Sequence, residues 1–202
     1  GPDTVDSDQQ LSAKSFKAAI ERLSEDEFKK IKIVALAEDF LIGIDTNVMD
    51  AYRKTLETLI QKDLNFKRIG LNGWDPSSER KNAFLIVQAE AARHLKEFLQ
   101  DRDLGKISSQ FRYFMDYGAS VDNSRLKESY KRVERLTNLV DNFFEECDFL
   151  LLPTSPQKAF RHETAPPINQ ADLTALANIC GLPALSLPTG QGEIPSALQI
   201  IG

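Results

Sequence analysis

Two cysteines, two histidines, two methionines and one tryptophan are spread over 202 residues, and this scarcity removes several classes of function. Cys147 and Cys180 sit in apolar stretches with neither CxxC spacing nor a nearby histidine. They read as buried thiols suited to a reducing cytoplasm, not as a disulfide framework. His94, in a helical stretch, and His162, in a proline-rich loop, lack metal-ligand spacing and read as solvated side chains. No metal and no cofactor is therefore expected. Positive charge is also in deficit: 25 Lys and Arg against 30 Asp and Glu leave a formal charge of −5. Without a basic block there is no electrostatic footprint for nucleic acid. No run approaches the roughly 18 apolar residues of a membrane span, and the N-terminus carries no export signal. A cytoplasmic protein is the expectation.

Catalytic constellations are equally thin. The GxGxxG and GxxxxGK loops that cradle phosphates do not occur. A nucleophilic serine needs an activating base and a turn that exposes it and supplies oxyanion amides. Ser77 and Ser78 in "PSSER", and Ser108 and Ser109 in "ISSQF", have neither and read as loop or capping serines. Carboxylates are plentiful, but in stretches such as "RLSEDEFKKIK" they alternate with lysine as on a solvated helix face.

What is present is a globular α/β pattern, with 42% hydrophobic and 27% charged residues and enough chain for one sizeable core. We read residues 1–202 as a single segment, with 1–14 as a flexible N-terminal stretch. Apolar spacing predicts a helix within 12–24, and "IKIVALA" predicts a strand. A helix follows over 46–64, with Val48, Met49, Tyr52, Leu56, Leu59 and Ile60 on one face and Asp45 or Thr46 as its cap. "NFKRIGLNG" is the next strand. A helix over 82–100 should bury Phe84, Val87, Ala91, Leu95 and Phe98. A longer helix over 124–148 should bury Leu126, Tyr130, Val133, Leu136, Val140, Phe143, Phe144 and Cys147. "DFLLLPTSP" is a strand ended by Pro153, residues 154–169 form a structureless loop that is the place to look for function, and "QADLTALANIC" is a short helix. Residues 182–187 and 197–201 should be buried strands. The fold class is α/β, a mixed sheet of about five strands flanked by helices on both faces.

The stretch "NICGLPALSLPTG" fences one of those strands between Gly181 and Pro183 on one side and Pro188 and Gly190 on the other. Together with "CDFLLLPTSPQKAF" before it and "IPSALQIIG" after it, it resembles the C-terminal half of the amidase signature family. That family has an Asp-x-Leu-Leu-x-Pro-Thr strand, an Asn-x-x-Gly-x-Pro-Ala turn, a Pro-x-Gly end and a Pro-x-x-Leu-Gln-Ile-Ile-Gly strand in this order. Upstream, "GPDTVDSD", "IKIVALAEDF", "AEAARHL" and "YGASVDNSRLKESYKRVERL" resemble further family segments, so the likeness runs along nearly the whole chain.

The resemblance implies hydrolysis of a small-molecule amide by a serine, activated through a second serine on a cis peptide and a lysine. It places those residues N-terminal to this chain, which then reads as the C-terminal portion of an amidase and by itself inactive, with no catalytic residue of its own. It also implies that Asn178, Gly181, Pro183, Pro188 and Gly190 fix a turn and strand beside the catalytic core, and that Phe160 and Asp172 line the substrate pocket. In the family's glutamine-dependent amidotransferases an aspartate in that last helix meets the amino group of glutamine; counted back from Asn178, Asp172 falls one residue out of register. A homo-oligomer is compatible with all of this. The alternative reading is a noncatalytic relative that kept the fold for binding or assembly.

Overall fold

The structure, a computed structural model, describes residues 30–100, 107–190 and 194–202. The expected helix within 12–24 and the N-terminal stretch 1–14 lie outside the described residues. Ile33–Gly202 form one compact unit.

The β-branched run near residue 33 forms β1 (Ile33–Leu36), and a short 3-10 turn leads into α1 (Thr46–Gln61). Asp45 is the N-cap residue of α1, although its carboxylate makes no capping bond; its amide instead donates to Pro156 O at 2.9 Å. α1 buries Val48, Ala51, Tyr52 and Leu56, with Met49 and Leu59 partly covered. Ile60, expected on the same face, is exposed because the helix ends one residue later. β2 (Lys67–Ile69) then pairs parallel with β1, completing a β-α-β unit.

Among the described residues three helices separate β2 from β3 (Phe149–Pro153): α2 (Pro76–Gln100), α3 (Ser109–Ser120) and α4 (Asn123–Phe144). α2 starts six residues earlier than its apolar stripe suggests. Pro76 supplies a preset φ at the first helical position, and Asp75 accepts from Ser78 N at 3.1 Å. Its packing also differs from the expected face. Leu85, Ile86, Ala89 and Ala92 are buried, whereas Phe84, Val87 and Phe98 are exposed. Each alternative stripe has helical spacing, and the one that faces α4 is the one that packs. α3 has no counterpart among the expected elements. Ser108 caps it by accepting from Phe111 N at 3.2 Å, and Gly118 lets it cross α2 at backbone distance: a Cβ there would lie 2.1 Å from Gln88 O. α4 buries Leu126, Leu136 and Val140 as expected, with Val133, Phe143 and Phe144 partly buried. Tyr130 is exposed and donates its hydroxyl to Glu90 of α2 instead.

The sheet order is β2-β1-β3-β5-β4, with β3 parallel to β1 and β5 (Ala197–Ile201) antiparallel to both β3 and β4 (Ala184–Pro188). Consecutive residues of a strand point to opposite faces. Because Val34, Ala35 and Leu36 of β1 and Leu150, Leu151 and Leu152 of β3 are all buried, both faces are covered at the middle of the sheet. The Tyr52 hydroxyl pins α1 to this region, donating to Leu36 O at 2.9 Å with Leu151 O as a second acceptor at 3.2 Å.

The expected buried strand at 182–187 is corrected here. β4 is the terminal strand, paired only with β5, and all five of its residues are exposed, Leu185 at 56% and Leu187 at 43%. None of the helices just described lies over it, so its apolar composition finds no cover among the described residues. β5, by contrast, sits between β3 and β4 and buries Leu198, Gln199 and Ile201.

Candidate functional site

Pro153 ends β3, and residues 154–174 carry neither helix nor strand before the short α5 (Ala175–Cys180). The loop is nonetheless sewn down. Thr154 N donates to Ala197 O at 2.9 Å, Gln157 Nε2 to Asn169 Oδ1 at 2.7 Å, and Asn169 Nδ2 to Gly43 O at 3.0 Å. Its strongest tether runs to the first turn of α2. Arg80 donates through Nε to one Asp172 carboxylate oxygen and through Nη2 to Ile168 O at 2.8 Å, and Ser77 donates its hydroxyl to the other Asp172 oxygen. Asp172 is 7% exposed, so its charge needs these partners.

The polar network continues into α4. Glu79, 1% exposed in the first turn of α2, takes Arg135 Nη2 on Oε1 at 3.3 Å. Arg132 Nη1 donates to Ser78 Oγ at 3.3 Å, and Ser129 Oγ donates to Asn82 Oδ1 at 2.8 Å. A carboxylate near a helix N-terminus is favoured by the helix dipole, which suits Glu79 at this position. The result is a polar seam of two buried carboxylates and three arginines joining α2, α4 and the loop.

Of the residues read from the sequence, Asp172 is buried in this seam, whereas Phe160 lies in the loop at 38% exposure. Among the described residues no hydrogen bond or ring contact links Phe160 to the seam. Ser77 and Ser78 sit in the first turn of α2, and Ser77 is the partner of Asp172; Arg80 and Glu79 had no sequence signal beyond ordinary helix-surface charge. His94 and His162 are exposed. Cys147 is buried and Cys180 half-buried, and burial pushes the Cys180 thiol up to about 11, well away from a reactive thiolate. No group of three His, Cys, Asp or Glu among the described residues could hold a metal ion, and no helix among them is long and apolar enough to cross a membrane.

The fenced strand is held by its turns. Gly181 caps α5 in the left-handed region, at φ +67° and ψ 27°, as a residue without a Cβ readily does. Asn178 Nδ2 donates back to Thr174 O at 3.3 Å, and Gly202 N donates to Pro183 O at 3.2 Å. After Pro188, Thr189 closes on Ser196 O through both its amide, at 2.9 Å, and its hydroxyl, at 3.1 Å, and Gly190 has φ +68°. A hydroxyl pair, Thr154 Oγ1 and Ser186 Oγ at 2.7 Å, joins the end of β3 to the middle of β4.

The fold recurs in known structures. A chain described as an amidase superposes with a TM-score of 0.72 at 23% identity, over 85% of this chain and 41% of its own. A bacterial aryl acylamidase of the amidase signature enzymes superposes with 0.69 at 16% identity, over 85% and 40%. Both likenesses concern the fold. In sequence, the chain is similar to a subunit of the glutamyl-tRNA(Gln) amidotransferase of Caldanaerobacter subterraneus subsp. tengcongensis, 28% identical over all of this chain and 46% of that relative. It is 26% identical to the corresponding subunit from a Psychrobacter species, over 92% of this chain and 42% of that relative. The chain thus spans less than half the length of these relatives. The family model for Amidase matches residues 1–202, taking in every strand, turn and seam residue described above, and the chain belongs to that family of carbon–nitrogen hydrolases.

Proposed function

We propose that this chain forms one wall of the substrate cleft in an enzyme that hydrolyses a small-molecule amide, with the serine nucleophile supplied by polypeptide outside residues 1–202. The observation that carries this reading is how the shared motif residues are used. Asn178, Gly181, Pro183 and Pro188 are all spent on shaping the backbone around β4, which suits a supporting wall. The hydroxyls of Ser77, Ser129 and Ser186 are engaged by Asp172, Asn82 and Thr154, none of which is a lysine or histidine that could activate a nucleophile.

In this reading Phe160 faces the substrate with its exposed ring, and Asp172 acts at one remove. Both its oxygens already hold Ser77 and Arg80, so the cleft meets a neutralised pair instead of a bare anion able to grip an ammonium group. The test is labelling with a fluorophosphonate probe together with release of ammonia from simple amides. The 202-residue chain should take no label and release none. The full-length polypeptide isolated from its own source should be labelled on a serine outside these residues. A labelled serine within the chain overturns the placement of the nucleophile, and an unlabelled, inactive full-length protein favours a noncatalytic relative used for binding.

A further inference from the structure

We propose that the groove between the C-terminal half of α2 and α3 is a binding site for an amphipathic monoanion, a medium-chain carboxylate, and that it is separate from the amide chemistry. The groove is open to solvent on one side and has a volume of about 460 Å³, within the size range of small-molecule sites and enough for an apolar chain on the order of ten carbons. Its wall is apolar, with Leu99 from α2 and Phe111 and Met115 from α3. That wall is built before any ligand arrives: the Phe111 ring stacks on Phe114 at 5.9 Å and 12°, and Phe114 in turn meets the edge of Phe84 at 5.6 Å. A preformed aromatic wall lowers the ordering cost of binding.

Charge selects the occupant. Lys96 and Arg112 both line the groove and are exposed, and neither makes an ion pair among the described residues. The one lining acid, Asp116, stands a helical turn from Arg112 yet is not within ion-pair distance of it. The balance of Lys96, Arg112 and Asp116 is a single net positive charge beside an apolar trough. A carboxylate gains a charge-assisted contact from these lining cations while its chain covers Leu99, Phe111 and Met115. An uncharged chain forfeits that contact, and a cationic one is repelled.

The experiment is calorimetric titration of the full 202-residue chain with decanoate, decan-1-ol, butyrate and decyltrimethylammonium, with sedimentation run in parallel. Decanoate should bind saturably at one site, and lengthening the acid from octanoate should tighten binding about fourfold per added methylene. Decanol and butyrate should each bind at least tenfold more weakly, and the cation not at all. The exposed, unpaired cations allow Lys96→Ala with Arg112→Ala to fold, and this double variant should lose at least tenfold for decanoate but not for decanol. Ala119→Phe, which fills the groove, should lose both. Equal binding of the cationic amphiphile, unchanged affinity in the double variant, or a ligand-free dimer abolished by Ala119→Phe would overturn the proposal, the last by showing that a second copy of the chain covers the groove.

Discussion

Gly118 sits where α3 crosses α2 at backbone distance, and the spacing leaves no room for a methyl group. A Cβ at 2.1 Å from Gln88 O and 2.5 Å from its carbonyl carbon cannot be absorbed by a side-chain rotation, since the obstacle is backbone. Gly118→Ala should therefore force the helices apart and lower stability by about 1–3 kcal/mol. Urea unfolding beside the exposed control Lys127→Ala would measure it, and a midpoint shift no larger than that of the control would show that the crossing is loose. Arg80 sets a second residue-level expectation. Its removal leaves the buried Asp172 carboxylate with Ser77 alone. Because Arg80 keeps a fifth of its side chain in solvent, Arg80→Ala should cost about 3 kcal/mol, the low end for a broken buried pair. Adding Asp172→Asn should recover part of that loss. If the single and double variants unfold at the same midpoint, the pair is not what holds the loop.

At the scale of elements, the apolar patterns that identify a strand or helix are local, whereas what covers it is not. β1, β3, α1 and α4 were legible because their runs and stripes are unambiguous. α2 carries two apolar stripes, Phe84 with Val87 and Leu85 with Ala89, and only the position of α4 decides which is inside. α3 is not legible in the sequence because its helical face is made of aromatics interrupted by Gly118 and flanked by serines, residues that suggest a turn. The turn at Gly181 was legible from its motif, and the structure adds that its backbone is left-handed. Asp172 could be singled out by its place before Asn178, but its partners could not, since Ser77 and Arg80 lie 95 and 92 residues away. β4 is the clearest divergence between pattern and environment: an apolar strand in sequence, bare on every residue in the fold. Such a strand offers unpaired backbone groups and apolar side chains together. The chain should bind a hydrophobic dye such as ANS, and Leu185→Lys with Leu187→Lys should remove most of that fluorescence while leaving the far-UV circular dichroism unchanged. Equal dye binding by this double variant would assign the signal to another surface, such as the α2–α3 groove.

For the molecule as a whole, the Tyr52 hydroxyl has a consequence for the order of events in folding. Leu36 O lies 16 residues from it and Leu151 O lies 99 residues away, so one hydroxyl spans a contact that can form within the early β-α-β unit and one that must wait for β3. Closing such a distant contact comes late, because the entropy of the intervening chain is lost before the contact returns anything. An interaction completed after the barrier slows unfolding without hastening folding. In stopped-flow experiments Tyr52→Phe should raise the unfolding rate more than it lowers the refolding rate, because the loss at Leu151 O falls on unfolding alone and only the loss at Leu36 O can slow refolding. A loss carried by the refolding rate, with the unfolding rate nearly unchanged, would mean that β3 docks before the barrier. This one phenol serves as a clock hand, marking when the two halves of the sheet, β2-β1 and β3-β5-β4, meet.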